Sequence, residues 1–257
     1  MPRARDIAGR MDGWLRTAEI PDYPGAINGL QLDNRADVTR VASAVDFSAH
    51  IVREVIRARA QLLIVHHGMF WGGVQPLTGV NYERLANLIA NDIAVYSSHL
   101  PLDLHPELGN NALLAKRLGL RPTDGFARYK TIDVGLSGVD DVDTATLIER
   151  VRLLATEAGG HVVAPSVPRE RRTRRWAVCT GAGADSDTIR EALDRGIDTM
   201  IVGEGPHHTA VQARDLDIVI IYGGHYATET LGVRALGERV ASEFGIDAVF
   251  LDAPTGL

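Results

Sequence analysis

The chain has 257 residues, 45% of them apolar and 23% charged, with 27 Lys plus Arg against 33 Asp plus Glu. The resulting net charge of −6 argues against nucleic-acid binding as the main task. The single cysteine, Cys179, rules out an intrachain disulfide and points to a reducing, cytoplasmic setting. The amino-terminal MPRARDIAGRMDGW lacks the apolar stretch of a secretory signal. The longest apolar runs, 62–65 and 218–221, are strand-sized, well short of the roughly 18 residues of a membrane span.

Taken in chain order, residues 7–17 carry the period of an amphipathic helix and 41–47 read as a strand. Helical period returns over 48–59, with Ser48 placed to cap it. A short buried strand, 61–65, runs into His66 and His67. A helix over 81–91, a strand over 92–97 and a helix over 110–118 ending at Gly119 complete the first part. Strands alternating with helices predict βαβ units and a mostly parallel sheet. Residues 120–130, with Pro122 and Gly125, read as a linker. Beyond it, strands are expected over 131–137, 160–164, 176–180, 199–202, 218–222 and 248–251. Helices are expected over 142–158, 186–195, 208–216 and 228–243. The basic, Pro-flanked 165–176 reads as an exposed loop, and its arginines, Arg169 to Arg175, are the one feature that favours a nucleic-acid partner.

Three clusters carry the chemical signal. LLIVHHGMFW places His66 and His67 after one apolar strand, VYSSHLPLDLH places His99 and Asp103 after a second, and IVIIYGGHYATETLG places His225 and Glu229 after a third. In open α/β sheets functional groups gather beyond the carboxyl ends of the strands, so three separate segments aim imidazoles and carboxylates at one edge. His225 and Glu229 stand at i and i+4, and a helix starting near Ala227 would turn both the same way. The set holds imidazoles and carboxylates but no thiolate, which suits Zn, Mn, Fe, Co or Ni. A carboxylate can bridge two such ions, and paired ions acidify a shared water. His99 is placed to orient a ligand or to shuttle protons.

Glu204, His207 and His208 follow a further apolar strand, at the rim of the site as substrate contacts or as supports behind the ligands, or as ordinary helix-start residues. The Gly-rich CTGAGADSDT, 179–188, lacks the Lys and the spacing of a phosphate-binding motif and reads as a tight strand-to-helix connection. Asn28–Gln31, NGLQ, reads from spacing as a turn.

With these pieces in order along nearly the whole chain, the sequence resembles the Nif-three-like family of dinuclear-metal-centre proteins, also labelled GTP cyclohydrolase I type 2-like. The matching segments are NGLQ at 28–31, VHHG at 65–68, HLPLD at 99–103, GAG at 181–183, GEGPHH at 203–208 and GGHYATE at 223–229. The family often has an acidic-then-basic stretch where this chain has Gly205–Pro206. The resemblance implies two interlinked α/β domains with mixed, mostly parallel sheets and a metal site in the cleft between them. The domains would be 1–125, completed by 226–257, and 126–225. It implies two divalent ions per chain, held by His66, His67, Asp103, His225 and Glu229, with Glu229 bridging. His99 would be a nearby non-ligand or weak ligand, and the assembly a ring-shaped homohexamer. The expected function is a metal-dependent hydrolase acting through a metal-bridging hydroxide on a nucleotide-like or phosphorylated small molecule, with His99 or His208 as acid or base. The alternative is a non-catalytic metal-binding ring, acting as a scaffold or handling metal.

Overall fold

Strands apolar on both faces alternate with helices that carry a single apolar stripe, the pattern of sheets covered by helices. The computed structural model describes all 257 residues, Met1–Leu257. In chain order the first elements are α1 (Ala4–Leu15), β1 (Gly29–Leu32), β2 (Arg40–Asp46), α2 (Ala49–Arg57), β3 (Leu62–His67), α3 (Gly79–Ala90), β4 (Ala94–Ser97) and α4 (Leu100–Asp103). Then come α5 (Asn110–Leu118), β5 (Pro122–Tyr129), β6 (Ile132–Asp143), α6 (Thr144–Glu157), β7 (Arg172–Cys179), α7 (Ser186–Asp194), β8 (Thr199–Val202), α8 (His207–Asp215), β9 (Val219–Tyr222), α9 (His225–Phe244) and β10 (Asp247–Phe250). The chain divides into two compact units, Met1–Leu102 with Gly232–Ala253, and Asp103–Leu231 with Pro254–Leu257. No helix is long and apolar enough to cross a membrane.

The first unit holds a sheet in the order β1-β4-β3-β2-β10, parallel except where β1 runs antiparallel to β4. All six residues of β3 are buried, which is why its sequence shows an apolar run instead of alternation. Ile51, Val52 and Val55 form the buried stripe of α2 and pack with Leu63, Val65, Val95 and Leu88. Ser48 caps α2 as its position predicts, its Oγ accepting from the Ile51 amide at 3.2 Å.

The second unit holds a mixed sheet, β5-β6-β7-β8-β9, antiparallel from β5 to β7 and parallel from β7 to β9. Alternate residues serve its two cores. Trp176, Val178, Ile201 and Ile221 pack with Leu114, Leu118, Leu147 and Val151 from α5 and α6. Ala177, Met200 and Ile220 pack with Ile189, Ala192 and Ala213 from α7 and α8. Because α5 belongs to the former core, the first unit ends at Leu102 instead of near residue 125.

Four expectations change. Residues 28–31 are not a turn: Gly29 to Gln31 open the strand β1. Residues 120–130 are not a linker: most of them form β5, an edge strand whose first three residues are exposed and which therefore lacks alternating apolarity. Residues 160–164 form no strand and contribute only a bridge between Val163 and Tyr222. The arginine-rich stretch is partly β7, where Arg172, Arg174 and Arg175 are exposed and Thr173 and Trp176 are buried. Arg171 and Arg172 are each paired at 2.8 Å, with Asp217 and Asp141.

Leu63 fills the first unit's core, whereas Leu153 is exposed on α6. Leu63→Ala should cost about 2–5 kcal/mol. Leu153→Ala should stay within about 0.5 kcal/mol. Urea unfolding of the two variants checks the difference.

Candidate metal centre

In the first unit, three histidines meet at the carboxyl ends of the parallel strands β3 and β4. His66 and His67 are the last residues of β3 itself, and His99 follows β4 by two residues. All three are buried, and one ligand-type atom from each lies within 4.8 Å of the others. Each ring is held through Nδ1. His66 Nδ1 lies 2.9 Å from the Ser98 carbonyl, His67 Nδ1 2.8 Å from Asp46 Oδ1, and His99 Nδ1 2.8 Å from Asp22 Oδ1. A carbonyl or an ionised carboxylate only accepts, so each Nδ1 carries the hydrogen. In the neutral rings the lone pair then sits on Nε2, the arrangement found in metal-binding histidines. Asp46 and His67 are register partners on adjacent strands, so the sheet itself sets that contact.

The polar frame around these rings was hidden in the motif read as a turn. Asn28 Oδ1 accepts from the His99 amide at 2.7 Å, and Asn28 Nδ2 donates to Asp22 Oδ2 at 2.8 Å. Gln31 Oε1 accepts from the Met69 amide at 2.6 Å, while Gln31 Nε2 donates to the carbonyls of Ala26 and Ile27 at 3.1 and 2.9 Å. Gly68, next to His67, lies so close that a Cβ there would overlap the Gln31 amide and stand 2.6 Å from Ser97 Oγ. NGLQ therefore clamps the loops on which the histidines sit. Asp22 also accepts from the Tyr23 and Leu100 amides at 2.7 and 2.9 Å. Burial alone would raise its pKa, but the hydrogen bond and charge of His99, then the bonds from Asn28 and Tyr23, outweigh this and hold it below the usual carboxylate range.

In the second unit, the carboxyl ends of β7, β8 and β9 lead into three glycine-containing loops. They are stitched together by the Glu204 amide to the Gly181 carbonyl at 2.8 Å and by the Gly224 amide to the Gly203 carbonyl at 2.9 Å. Gly181 adopts φ +63°, and a Cβ there would overlap Glu229 Oε1 and stand 3.3 Å from His225 Nε2. The GAG loop is thus a close backbone approach to this side-chain pair, in keeping with a tight connection. The helix α9 starts at His225, two residues before the expected position, so His225 and Glu229 share one face. His225 Nε2 lies 3.2 Å from Glu229 Oε2, and His225 Nδ1 lies 2.7 Å from Glu204 Oε1. Burial would lower the His225 pKa, but Glu229 and then Glu204 outweigh it and raise it to about 9. A carboxylate on each side of one imidazole calls for positive charge at Nε2. A proton meets that demand at neutral pH, and a divalent cation could replace it.

Asp103, at the end of α4, is buried, and Asn110 Nδ2 donates to its Oδ1 at 2.8 Å. Glu204, read as a rim residue that contacts substrate or supports a ligand, does the latter geometrically, its Oε1 standing 2.7 Å from His225 Nδ1. His208 is exposed on α8. Its neighbour His207 lines a cavity of about 270 Å³ with Glu204, His161 and Tyr222. Cys179 is buried and its thiol is pushed well above the ordinary range, as expected of a small core residue.

The profile of the Duf34/NIF3 (NGG1p interacting factor 3) family matches residues 2–255. The chain belongs to that family. It is 38% identical over 252 residues to a Pyrococcus abyssi protein named GTP cyclohydrolase 1 type 2 homolog, with 98% of each chain covered. A protein of the same name from Halobacterium salinarum is 39% identical over 254 residues, again with 98% of each covered. Among solved structures, protein ybgI, described as of unknown function, superposes with a TM-score of 0.87 at 33% identity over 100% of both chains.

Two predictions follow from how this NIF3-family chain holds its side chains. Asp22→Asn replaces an acceptor of four hydrogen bonds and should cost about 1.5–3 kcal/mol at neutral pH. Asp22 has a lowered folded pKa. Its contribution is therefore complete above the unfolded value of about 3.9 and is lost as pH falls through the lower folded value. Urea titrations taken stepwise into acid should show wild type and variant converging below that range. Gly181→Ala forces a left-handed alanine against Glu229 and should destabilise by about 1–3 kcal/mol. Thermal unfolding, with Gly13→Ala as a control in open space on α1, checks this.

Proposed function

We propose that this NIF3-family protein is a metal-dependent hydrolase of a nucleotide-like or phosphorylated small molecule. The observation that carries the reading is the buried trio of imidazoles His66, His67 and His99, each anchored through Nδ1 and with donor atoms within 4.8 Å. Imidazoles gathered away from water and oriented by second acceptors fit a borderline transition metal, Zn, Mn, Fe, Co or Ni, better than Ca or Mg. The proposed ligands of a metal pair are His66, His67, Asp103, His225 and Glu229, with Glu229 shared between the ions. When bound, such a pair supplies Lewis acidity and an acidified water at neutral pH.

The chain's own residues divide the remaining work. Ser98 and Asp46 fix the rings of His66 and His67, Glu204 fixes His225, and Asn110 fixes Asp103, so little reorganisation is left for the moment of binding. His99 is the proposed acid–base group. Asp22 holds its Nδ1–H, which leaves proton exchange to Nε2 and stabilises the ring when it is charged. His208, exposed on α8, would act only at the rim, on a substrate that reaches it. The proposed assembly is a homohexamer. Exposed apolar residues on and before α3, Val74, Leu77, Val80, Tyr82 and Ile89, supply a surface for it. The arginine pairings with Asp217 and Asp141 weaken the basic field that the 169–175 segment could offer a nucleic acid.

The test is metal content by elemental mass spectrometry on untagged protein purified without chelator. About two transition-metal ions per chain are expected. The value should fall in both His66→Ala and Glu229→Ala. Turnover of nucleotide and phosphate-ester substrates should then require the metal and fall by about 10²–10⁴ in His99→Ala with metal retained. Protein that takes up none of Zn, Mn, Fe or Co overturns the centre. Full occupancy with no turnover leaves a non-catalytic metal-binding ring.

A further inference from the structure

The chain has three tryptophans, and their surroundings differ. Trp176 is fully buried in the second unit. Trp14 is faced by the guanidiniums of Arg10 and Arg239, at 5.6 and 5.2 Å from its ring. Trp71 instead stands beside the imidazole trio, its ring centroid 4.5 Å from that of His99 and 4.9 Å from that of His67, and it is 41% exposed. Tyr23 completes the group. Its ring is 6.4 Å from Trp71 at an interplanar angle of 81° and 5.9 Å from His99, and it is 49% exposed. Two aromatic rings, each about half covered and set nearly perpendicular to one another, thus reach solvent at the same imidazole cluster that is proposed to carry the chemistry.

Neither residue is on a loose strand of chain. The Trp71 amide donates to the Gly68 carbonyl at 3.3 Å, and the Gly73 amide closes the turn on Phe70 at 2.8 Å. Gly25 presses so closely on this turn that a Cβ there would stand 2.7 Å from the Trp71 carbonyl. Gln31 pins Met69, two residues earlier. Tyr23 is adjacent to Asp22, whose carboxylate also accepts from the Tyr23 amide and from His99. The backbone of the aromatic pair is therefore fixed to the same frame as the histidines. A fixed frame lowers the ordering cost of binding.

Stacking on tryptophan and tyrosine favours flat π-systems and is tolerant of their edge pattern. On the inner side His99, its Nδ1 held by Asp22, leaves Nε2 as a polar edge that a nitrogen heterocycle can meet and a hydrocarbon cannot. We propose that Trp71 offers a stacking face, flanked edge-on by Tyr23, that holds the planar nitrogen-heterocyclic part of the substrate next to His99 and His67. This deepens the proposed function and rests on it for the reaction, but the binding claim can be tested separately. The platform defines a substrate class, a nucleobase or a comparable fused heterocycle, and sets it apart from simple sugar phosphates.

The experiment compares guanosine monophosphate, adenosine monophosphate and ribose 5-phosphate by titration calorimetry and by tryptophan fluorescence. It uses the full chain as purified and after metal loading. Both nucleotides should bind and ribose 5-phosphate should bind at least about tenfold more weakly. Trp71→Leu should weaken nucleotide binding by about 10- to 100-fold and leave ribose 5-phosphate unchanged. Tyr23→Leu should act in the same direction, and Trp71→Phe, which keeps a ring, should retain most of the affinity. No nucleotide binding, equal affinity for ribose 5-phosphate, or indifference to Trp71→Leu overturns the platform. Metal content on the same samples separates the two readings. Metal-free protein that binds nucleotides through Trp71 keeps the platform and removes the centre. Metal-loaded protein whose nucleotide affinity ignores Trp71 keeps the centre and removes the platform.

Discussion

The anchoring of histidine Nδ1 atoms is the constraint on which the candidate centre depends. A buried imidazole with no fixed acceptor could rotate and exchange tautomers, and its nitrogens would present no defined lone pair. Here the acceptor comes each time from an element next to the ring. Asp46 is the register partner of His67, Ser98 closes the strand beside His66, Asp22 is tied to His99 by a shared network, and Glu204 ends the loop beside His225. Parallel strands make this economical. Their carboxyl ends lie side by side, so residues distant in sequence supply ring and anchor within hydrogen-bond reach.

The glycine loops serve the same end from the backbone side. Gly68 lets the His67 turn lie against Gln31, and Gly181 lets its loop lie against Glu229 and His225. In both places a side chain is replaced by contact between backbone and a functional group. The cost is conformational entropy and, at Gly181, a left-handed backbone. That cost is offset by the hydrogen bonds the close approach allows, such as the Gly181 amide to Thr228 Oγ1 at 3.1 Å, one residue from Glu229.

The ligand-type residues are legible in the sequence because each follows an apolar run of strand length, and an i, i+4 pair such as His225 and Glu229 is a local pattern. Their anchors are not. Asp22, Asp46 and Asn28 carry no periodicity, and the histidines they hold lie 21 to 77 positions away; Glu204 alone stands out, because it follows an apolar run. The same limit applies to the fold. The buried β3 and the capped α2 announce themselves, whereas β5 does not, because an exposed edge strand gains its stability from pairing with β6 and not from its own apolar face. The arginines of β7 look like a solvated loop for the opposite reason. Their charge masks a strand whose inward residues, Thr173 and Trp176, are only two of the first five.

Electrostatics bring these features together. His225 between Glu204 and Glu229 has its pKa raised to about 9, because the two carboxylates favour positive charge on the ring. Partly buried negative charge of this kind is costly unless it is paired, and a proton supplies only one unit. A divalent cation would supply two and would bind through a directed lone pair, the one that the Nδ1 contact with Glu204 leaves to Nε2. Such an arrangement would favour a metal over a proton more strongly as pH rises, because the proton on Nε2 must leave before a cation can take its place. In the first unit the cluster itself is made of imidazoles, two of them anchored by the carboxylates Asp46 and Asp22, so its preference among cations would come from ligand type. Imidazole prefers a borderline transition metal, and the rings of Trp71 and Tyr23 stand beside the cluster.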